Sequence, residues 1–242
     1  MSKSKRGYLL LLLMLVSVTG IAFAGADVFS IEKITILGNN EFMYNDILRL
    51  SGLSAGQNIL KLDKELVQSR IQIEPHIEVI SISTRFPDEV IITVRERKAI
   101  AFTEYLSSCI MFDAEGIALE VRDPDEVHGY IEVRGLNMQG FVLGEELLVN
   151  EEYRLDALKR VLAEVKAQGL ENDISKISVE DANDVRMISD AGLSIRLGQA
   201  VEVDKKLRWM KTDQFNQIEA GGVPGELNLT VHTQAVFIPL EN

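Results

Sequence analysis

The residues that most often carry chemistry in proteins are few in this sequence and lie far apart. None of the three histidines, His76, His128 and His232, stands at metal-ligand spacing from another. The single cysteine, Cys109, has no partner for an intramolecular disulfide and cannot build a thiolate metal site alone. Its apolar neighbours instead predict a small buried residue in a strand. These residues therefore give no candidate metal-ligand set and no candidate nucleophile.

Carboxylates are the remaining candidates for catalysis, but they stand in hydrophilic stretches. The pairs Asp123/Asp125 and Glu145/Glu146 should be only weakly removed from water, so the sequence gives no reason to expect an activated carboxylate. The acidic run 180–184 lacks the glycine and the distal glutamate of a calcium loop, which favours a polar turn. No phosphate-binding loop, dinucleotide fingerprint or nucleophile elbow occurs. We therefore expect a protein that is not an enzyme and that uses no cofactor.

The charge balance argues against a nucleic acid partner. The chain of 242 residues has 37 acidic and 25 basic residues, a net charge of −12. A phosphate backbone attracts clustered Lys and Arg side chains and repels a protein with a net negative charge. Apolar residues make up 46% of the chain, which is enough for one or two small domains with their own cores.

The N-terminus predicts where the protein resides. A basic cluster within residues 3–6 precedes residues 7–26, which include no charged side chain. A helix of that length spans about 30 Å, the thickness of the hydrocarbon core of a bilayer. The basic flank should stay in the cytoplasm by the positive-inside rule. We therefore predict a cytoplasmic tail at 1–6, a transmembrane helix at 7–28 and an extracytoplasmic body.

A second interpretation of this segment stays open. Ala22-Phe23-Ala24 has the A-x-A form of a signal-peptidase site, and the strongly apolar run before it is short. The alternative is therefore a cleaved and secreted protein. In both cases the body of the protein lies outside the cytoplasmic membrane.

Residues 31–94 predict a compact α+β unit. Alternating apolar and polar residues are typical of half-buried strands, and turn residues separate these strands from two helical segments. Asp63 is placed to cap the second helix, and Pro75 ends it because the residue before a proline is pushed out of the helical region. The order strand, helix, helix, strand, strand describes a three-stranded sheet covered by two helices. The predicted elements are strands near 31–37, 80–83 and 90–94 and helices near 45–50 and 63–73.

The second half of the chain predicts a strand-rich unit with two helices. Gly116 stands in a hairpin turn where a positive φ is expected, and Gly169 stops the first helix. The predicted strands are 109–112, 117–120, 130–133, 174–179, 185–189 and 193–197, and a terminal strand pair begins with Leu227, Leu229 and Val231. The predicted helices are 151–168, with Leu155, Leu158, Leu162 and Val165 on one face, and 203–219, with Leu207, Met210, Phe215 and Ile218 toward the sheet.

Three motifs of the first unit resemble those of a known family. Segment 28–39 (VFSIEKITILGN) resembles the first strand of a POTRA domain. Segments 50–53 (LSGL) and 56–59 (GQNI) are similar to its helix and turn, and 85–97 (RFPDEVIITVRER) is similar to its last hairpin. Together with one membrane span and a following β domain, these motifs identify the chain as similar to the DivIB/FtsQ family of bacterial cell division proteins.

The second unit resembles the β domain of that family more loosely. Segment 112–116 (FDAEG) resembles the family's hairpin, and 193–198 resembles the strand before its last helix. Segment 227–230 (LNLT) lies where the family usually carries an acid and an arginine. Because Asn228 and Thr230 replace these two residues, we do not expect a charge pair there.

The resemblance implies a fold, a location and a role. It implies an α+β protein with a transmembrane helix, a POTRA domain (β-α-α-β-β) at 29–98 and a mixed β domain with packed helices at 99–242. It implies a single-pass protein that is concentrated at the division septum and that helps to scaffold the divisome. Its expected partners are small coiled-coil division proteins of the FtsB/DivIC and FtsL types. The alternative is a cleaved, secreted or POTRA-type polypeptide-binding module.

The expected binding mode is the addition of a partner strand at the C-terminal edge of the sheet. Phe237 has a second interpretation, closure of the β-domain core, and Trp209 has one as well, partial burial under a loop. The candidate partner-binding residues are Val231, Thr233, Ala235, Phe237, Arg208 and Trp209.

Overall fold

The computed structural model describes residue 8, residues 12–14 and residues 27–239. Its contacts divide the chain into two compact units, Met1–Glu96 and Arg97–Asn242. The predicted cytoplasmic tail, the Ala-Phe-Ala sequence and nearly all of the predicted transmembrane helix at 7–28 lie outside the described residues. Within the described part of the chain, no helix is both long enough and apolar enough to cross a membrane.

The first unit has the predicted order strand, helix, helix, strand, strand. In its sheet the third strand lies in the centre, parallel to the first strand and antiparallel to the second. Asp63 caps the second helix as predicted, because its carboxylate accepts the N–H of Leu66 at 3.0 Å. The elements are β1 (Lys33–Leu37), α1 (Tyr44–Ser51), α2 (Lys64–Ile71), β2 (Ile77–Arg85) and β3 (Glu89–Glu96), with short 3-10 turns at Asp27–Phe29 and Ile59–Lys61.

One face of this sheet packs on the helices and the other is polar. Ile47 and Val67 from the helices and Val90 and Ile92 from β3 are buried in one core. On the polar side, Glu89 is only 7% exposed and forms ion pairs with Lys33 and Arg85, both at 2.9 Å. The hydrogen bond from Lys33, followed by one from Thr35, holds the pKa of Glu89 below its ordinary value.

Glu96 closes the loop between β1 and α1. Its carboxylate accepts the backbone N–H groups of residues 40, 41 and 42 at 2.6 to 2.9 Å. The same loop begins at Gly38, which has a φ of +88°. A Cβ there would stand 2.0 Å from the carbonyl oxygen of Val94, so only glycine fits this close approach. The end of β3 therefore holds the start of the helical layer.

We predict that Glu96→Ala destabilises the first unit. Each hydrogen bond from a backbone N–H group to a carboxylate contributes about 2 kcal/mol to stability. This substitution removes three such bonds. Urea unfolding followed by circular dichroism should give a lower midpoint, with faster amide exchange in residues 38–44. Glu32→Ala is the matched control, because Glu32 is exposed and has no side-chain hydrogen bond among the described residues. Equal midpoints for the two variants would contradict the prediction.

The second unit is built on a nine-stranded sheet. Its strands are β4 (Ala101–Tyr105), β5 (Ser108–Phe112), β6 (Ala118–Arg122), β7 (Ile131–Arg134), β10 (Ile174–Ser178), β11 (Val185–Ser189), β12 (Ser194–Gly198), β13 (Gly225–Asn228) and β14 (Val236–Pro239). A separate two-stranded ribbon pairs β8 (Met138–Gly140) with β9 (Leu148–Val149). The helices are α3 (Glu152–Gln168), α4 (Val203–Leu207) and α5 (Asp213–Gly221).

The order of strands across this sheet is β14-β13-β12-β11-β10-β7-β4-β5-β6. Three neighbouring pairs, β4/β7, β7/β10 and β12/β13, are parallel, and the other pairs are antiparallel. Helix α3 buries the four residues that its sequence pattern predicted, Leu155, Leu158, Leu162 and Val165. Cys109 is buried in β5, as predicted.

Two sequence predictions for the C-terminal region were wrong. The helix predicted at 203–219 is broken into α4, a 3-10 turn at Arg208–Lys211, and α5. The break occurs because Thr212 adopts an extended conformation and its hydroxyl caps α5 by accepting the N–H of Phe215 at 3.3 Å. The terminal strand pair includes Leu227 but neither Leu229 nor Val231, because β13 ends at Asn228, whose side chain accepts the N–H of Thr230 at 3.0 Å in a turn.

Candidate partner-binding surface

The two edges of the nine-stranded sheet differ in how they are covered. At the β6 edge, residues 144–147 supply three backbone hydrogen bonds of 2.7 to 2.9 Å to residues 116–118. At the β14 edge, residues 236–239 make no backbone hydrogen bond within the described chain other than those to β13. An open edge presents N–H and C=O groups that another strand can pair with. The β14 edge is therefore open along its whole length, whereas the β6 edge is covered only at its start, Ala118.

A groove runs between α5 and the last hairpin. Its volume is about 350 Å³, and its apolar lining includes Phe215 and Ile218 from α5, Leu227 from β13 and Trp209 from the 3-10 turn. Phe237 from β14 completes this lining together with the adjacent Ala235. Grooves of this size, apolar with a few polar groups at the rim, are typical of binding surfaces. We call it the α5/β14 groove.

Trp209 is fixed in place by its indole N–H. The Nε1 atom donates to the carbonyl oxygen of His232 at 3.1 Å, so the ring reaches from the 3-10 turn to the loop between β13 and β14. The ring is half-buried and packs against the core of the unit. Both interpretations of Trp209 thus describe part of its position, because it lies against a loop and also lines the groove.

The second anchor of this loop is the side chain of His232. Its Nδ1 lies 2.7 Å from a carboxylate oxygen of Glu202, which precedes α4. The hydrogen bond from Lys205, followed by the charge interaction with His232, lowers the pKa of Glu202. The loop is therefore attached to the α4–α5 region through the backbone of His232 and through its ring.

Lys206 forms the polar end of the same region. It is 4% exposed, and its ammonium donates to the carbonyl oxygens of Leu197 and Gln199 at 2.9 and 2.8 Å. Burial lowers the pKa of Lys206 because removal from water disfavours its charged form. These two bonds attach α4 to the end of β12.

A charge ladder crosses the sheet beside this end. Arg196 on β12 pairs with Asp184 at 2.6 Å, and Arg186 on β11 pairs with Asp184 at 3.0 Å and with Glu226 at 3.3 Å. The hydrogen bond from Arg196 is the largest cause of the lowered pKa of Asp184. These ion pairs join β11, β12 and β13.

Asn228 and Thr230 stand where the family usually has an acid and an arginine. The Thr230 hydroxyl donates to the Asn228 side chain at 2.7 Å. A neutral hydrogen bond therefore occupies this position, in agreement with the expectation that no charge pair forms there.

The structure brings three of the six predicted binding residues together. Trp209, Ala235 and Phe237 line the α5/β14 groove, and Phe237 also packs against the core, which its second interpretation described. Val231 and Thr233 lie exposed in the loop between β13 and β14 rather than on a strand.

The sixth predicted residue, Arg208, does not line the groove. Its guanidinium is held by Asp204, with Nη2 2.7 Å from the carboxylate and Nε 3.2 Å from the backbone carbonyl. Sequence reasoning also missed Val236 and Ile238, which are exposed on the other face of β14. The two-residue period of a strand could have identified them, but the sequence did not show that β14 starts at Val236.

Groups that could do chemistry do not come together in the described chain. No cluster of three or more His, Cys, Asp or Glu residues with metal-binding geometry occurs there. His76 lies 3.0 Å from Glu74, far along the chain from His232. Cys109 is 1% exposed, and burial raises the pKa of its thiol, which disfavours the reactive thiolate.

Comparison with known proteins first defines the class of the first unit. Residues 29–97 match the family model described as "POTRA domain, FtsQ-type". The first unit is a POTRA domain, in agreement with its β-α-α-β-β order.

Curated relatives extend the comparison beyond the first unit. The chain is 28% identical over 178 residues to cell division protein FtsQ of Syntrophotalea carbinolica, and the aligned residues are 72% of this chain and 61% of that protein. It is 24% identical over 199 residues to cell division protein DivIB of Clostridium botulinum strain Loch Maree, and the aligned residues are 81% of this chain and 77% of that protein. The aligned part thus spans about three fifths of the Syntrophotalea protein. The chain is similar to FtsQ and DivIB cell division proteins over most of its length, which confirms the resemblance seen in its motifs.

We predict that Trp209→Phe loosens the last hairpin without unfolding the second unit. The substitution keeps an aromatic ring in the groove but removes the hydrogen bond to His232, worth about 1 kcal/mol. Amide exchange in residues 225–239 should become faster, while exchange in β10–β12 stays unchanged. Tyr153→Phe is the control, because the Tyr153 hydroxyl has no hydrogen-bond partner among the described residues. Unchanged exchange in the hairpin would show that the indole bond does not anchor the loop.

Proposed function

We propose that this protein is a non-enzymatic, single-pass division protein that scaffolds the divisome from outside the cytoplasmic membrane. In this proposal residues 1–6 are the cytoplasmic tail, residues 7–28 span the membrane, and the domains at 29–98 and 99–242 bind partners. The partners are small coiled-coil division proteins of the FtsB/DivIC and FtsL types. The observation that carries the proposal is an open strand edge at β14 directly beside the α5/β14 groove.

The open edge supports binding by strand addition. A partner strand that pairs with β14 extends the sheet from nine strands to ten and satisfies the outward N–H and C=O groups. The opposite edge is already occupied in part by residues 144–147, which leaves β14 as the favoured edge.

The groove supports specificity in the same binding mode. Side chains of an added strand alternate between the two faces of the sheet. On one face they meet the α5/β14 groove, where Phe237, Ala235 and Trp209 stand. On the other face they meet Val236 and Ile238, which are 44% and 49% exposed. Val231, Thr233 and Arg208 extend the proposed surface along the loop and the 3-10 turn.

The proposed location is supported by the N-terminal sequence. Residues 7–26 include no charged side chain and follow a basic cluster, the pattern of a membrane anchor with its N-terminus inside. The cleaved and secreted alternative depends on Ala22-Phe23-Ala24. The two alternatives differ in whether the protein remains in the membrane of the dividing cell.

We predict septal localisation of the uncleaved protein. A fluorescent fusion in the native cell, imaged while the unlabelled protein is depleted, should concentrate at division sites, and depletion without the fusion should give filaments. An immunoblot of membrane and medium fractions should find the full-length chain in the membrane. A uniform signal or release into the medium, with normal division, would contradict the proposal and favour the secreted polypeptide-binding alternative.

We predict that Val236→Lys weakens partner binding about tenfold or more, a loss of at least about 1.4 kcal/mol. A lysine on an edge strand disfavours the addition of a further strand, because its charge and long side chain obstruct pairing. The measurement is calorimetric titration of the purified protein with the extracytoplasmic segment of an FtsB/DivIC-type protein from the same cell. A septal protein that binds no such segment would contradict the partner assignment.

The control for this variant is Val121→Lys at the opposite edge. Val121 lies on β6 and Val236 on β14, and both valines are 44% exposed. The two substitutions therefore make the same chemical change at the two edges of one sheet. Equal weakening by both variants would contradict the assignment of binding to β14.

A further inference from the structure

An apolar patch lies at the start of the POTRA domain. Val28 is 55% exposed, and Phe86, in the turn between β2 and β3, is 60% exposed. The ring of Phe29 meets the ring of Phe86 edge to face, with the ring centres 6.5 Å apart. We call Val28, Phe29 and Phe86 the N-terminal apolar patch. The first residues of the POTRA domain and the tip of its last hairpin are thus in direct contact.

Phe86 contributes little to the core of the POTRA domain. It belongs neither to the buried cluster of this unit nor to the side chains packed against that cluster. A turn at this position needs only residues such as Pro87 and Asp88, so the fold does not require an aromatic ring. Phe86 packs on the ring of Phe29 and stays largely exposed, so that together with Val28 it forms a contiguous apolar surface, the kind of surface that can meet another apolar partner.

The length of the connecting chain limits what that partner can be. Phe29 lies three residues beyond the uncharged segment 7–26. Residues 27–29 form a 3-10 turn, in which three residues advance about 6 Å. The headgroup region beyond the hydrocarbon core is itself about 5 to 7 Å thick on each side. If the uncharged segment 7–26 spans the hydrocarbon core, the patch therefore lies at the depth of the lipid headgroups.

The charges around the patch do not attract it to a membrane, so its apolar side chains must supply the attraction. Lys33 and Arg85 are 68% and 71% exposed, but both pair with Glu89. The acidic Glu32 and Asp88 stand beside them in the sequence, so this end of the domain has no net positive charge to attract anionic lipid. Contact with a neutral membrane should therefore depend on apolar burial and not on attraction to anionic lipid.

We propose that the N-terminal apolar patch inserts into the headgroup region of the membrane and sets the orientation of the POTRA domain relative to the bilayer. This contact rests on the membrane anchor of the proposed function. The apolar side chains leave water, while the ion pairs around Glu89 remain at the surface. Phe side chains buried at the boundary between headgroups and acyl chains also hold amphipathic helices on membranes.

The experiment places a polarity-sensitive fluorophore on the full chain with Phe86→Cys. Cys109 is 1% exposed, so the introduced cysteine is the accessible thiol in the described chain. The labelled protein is reconstituted into nanodiscs of neutral phosphatidylcholine. We expect a blue shift and quenching by brominated lipid, both unchanged at high salt. The control is Ile73→Cys, because Ile73 is 74% exposed before the start of β2, at the opposite end of that strand from Phe86, and should show neither effect.

Each outcome separates the contact from the anchor. Protein that does not co-purify with the nanodiscs would overturn both the anchor and the contact. Protein that co-purifies but whose label at position 86 behaves like the label at position 73 would overturn the contact alone. A blue shift that appears without lipid and grows with protein concentration would indicate a second copy of the chain and would also overturn the proposal.

A second measurement avoids the label. Amide exchange of residues 84–90 is compared in nanodiscs between the unlabelled native chain and Phe86→Ser. The native chain should be protected in this hairpin, and Phe86→Ser should lose the protection, while residues 91–96 of the central strand stay protected in both proteins. Equal exchange in the two proteins would contradict insertion of the ring.

Discussion

Parallel pairing between β12 and β13 is the constraint on which the C-terminal surface depends. Two parallel neighbours cannot be joined by a tight turn, so the chain must cross over between them. The crossover is the segment from α4 to α5, residues 203–221, and it places α5 beside the last hairpin. β14 then returns antiparallel to β13 and becomes the sheet edge. The groove and the open edge are thus both consequences of a single crossover.

The crossover and the hairpin are also attached to each other at one residue. His232 accepts the indole N–H of Trp209 through its backbone and contacts Glu202 through its ring. A change in the position of the crossover is therefore transmitted to the loop before β14. This coupling suits a surface whose groove and strand must be correctly placed together when a partner binds.

The POTRA domain is organised around carboxylates in a comparable way. Glu96 holds the loop that leads to α1, and Glu89 joins the first and second strands through Lys33 and Arg85. Both acids belong to the strand that lies in the centre of the sheet. The central strand thus organises the helical layer and the polar face. Phe86 is exposed and does not belong to the core of this domain.

The sequence by itself determined the local elements and the family. A period of two placed β1 and a period of about 3.6 placed α3, because short-range alternation reports which side of an element is buried. The cap at Asp63 and the stop at Pro75 placed α2. The POTRA motifs likewise stand in consecutive segments of the chain. The break at Thr212 depends on a local cap that the apolar pattern of residues 203–219 did not reveal. The start of β14 and the meeting of Trp209 with His232 were decided only by the tertiary structure, because both depend on contacts between separate elements. A shift of one residue in the pairing register of β14 would move every one of its side chains to the other face of the sheet.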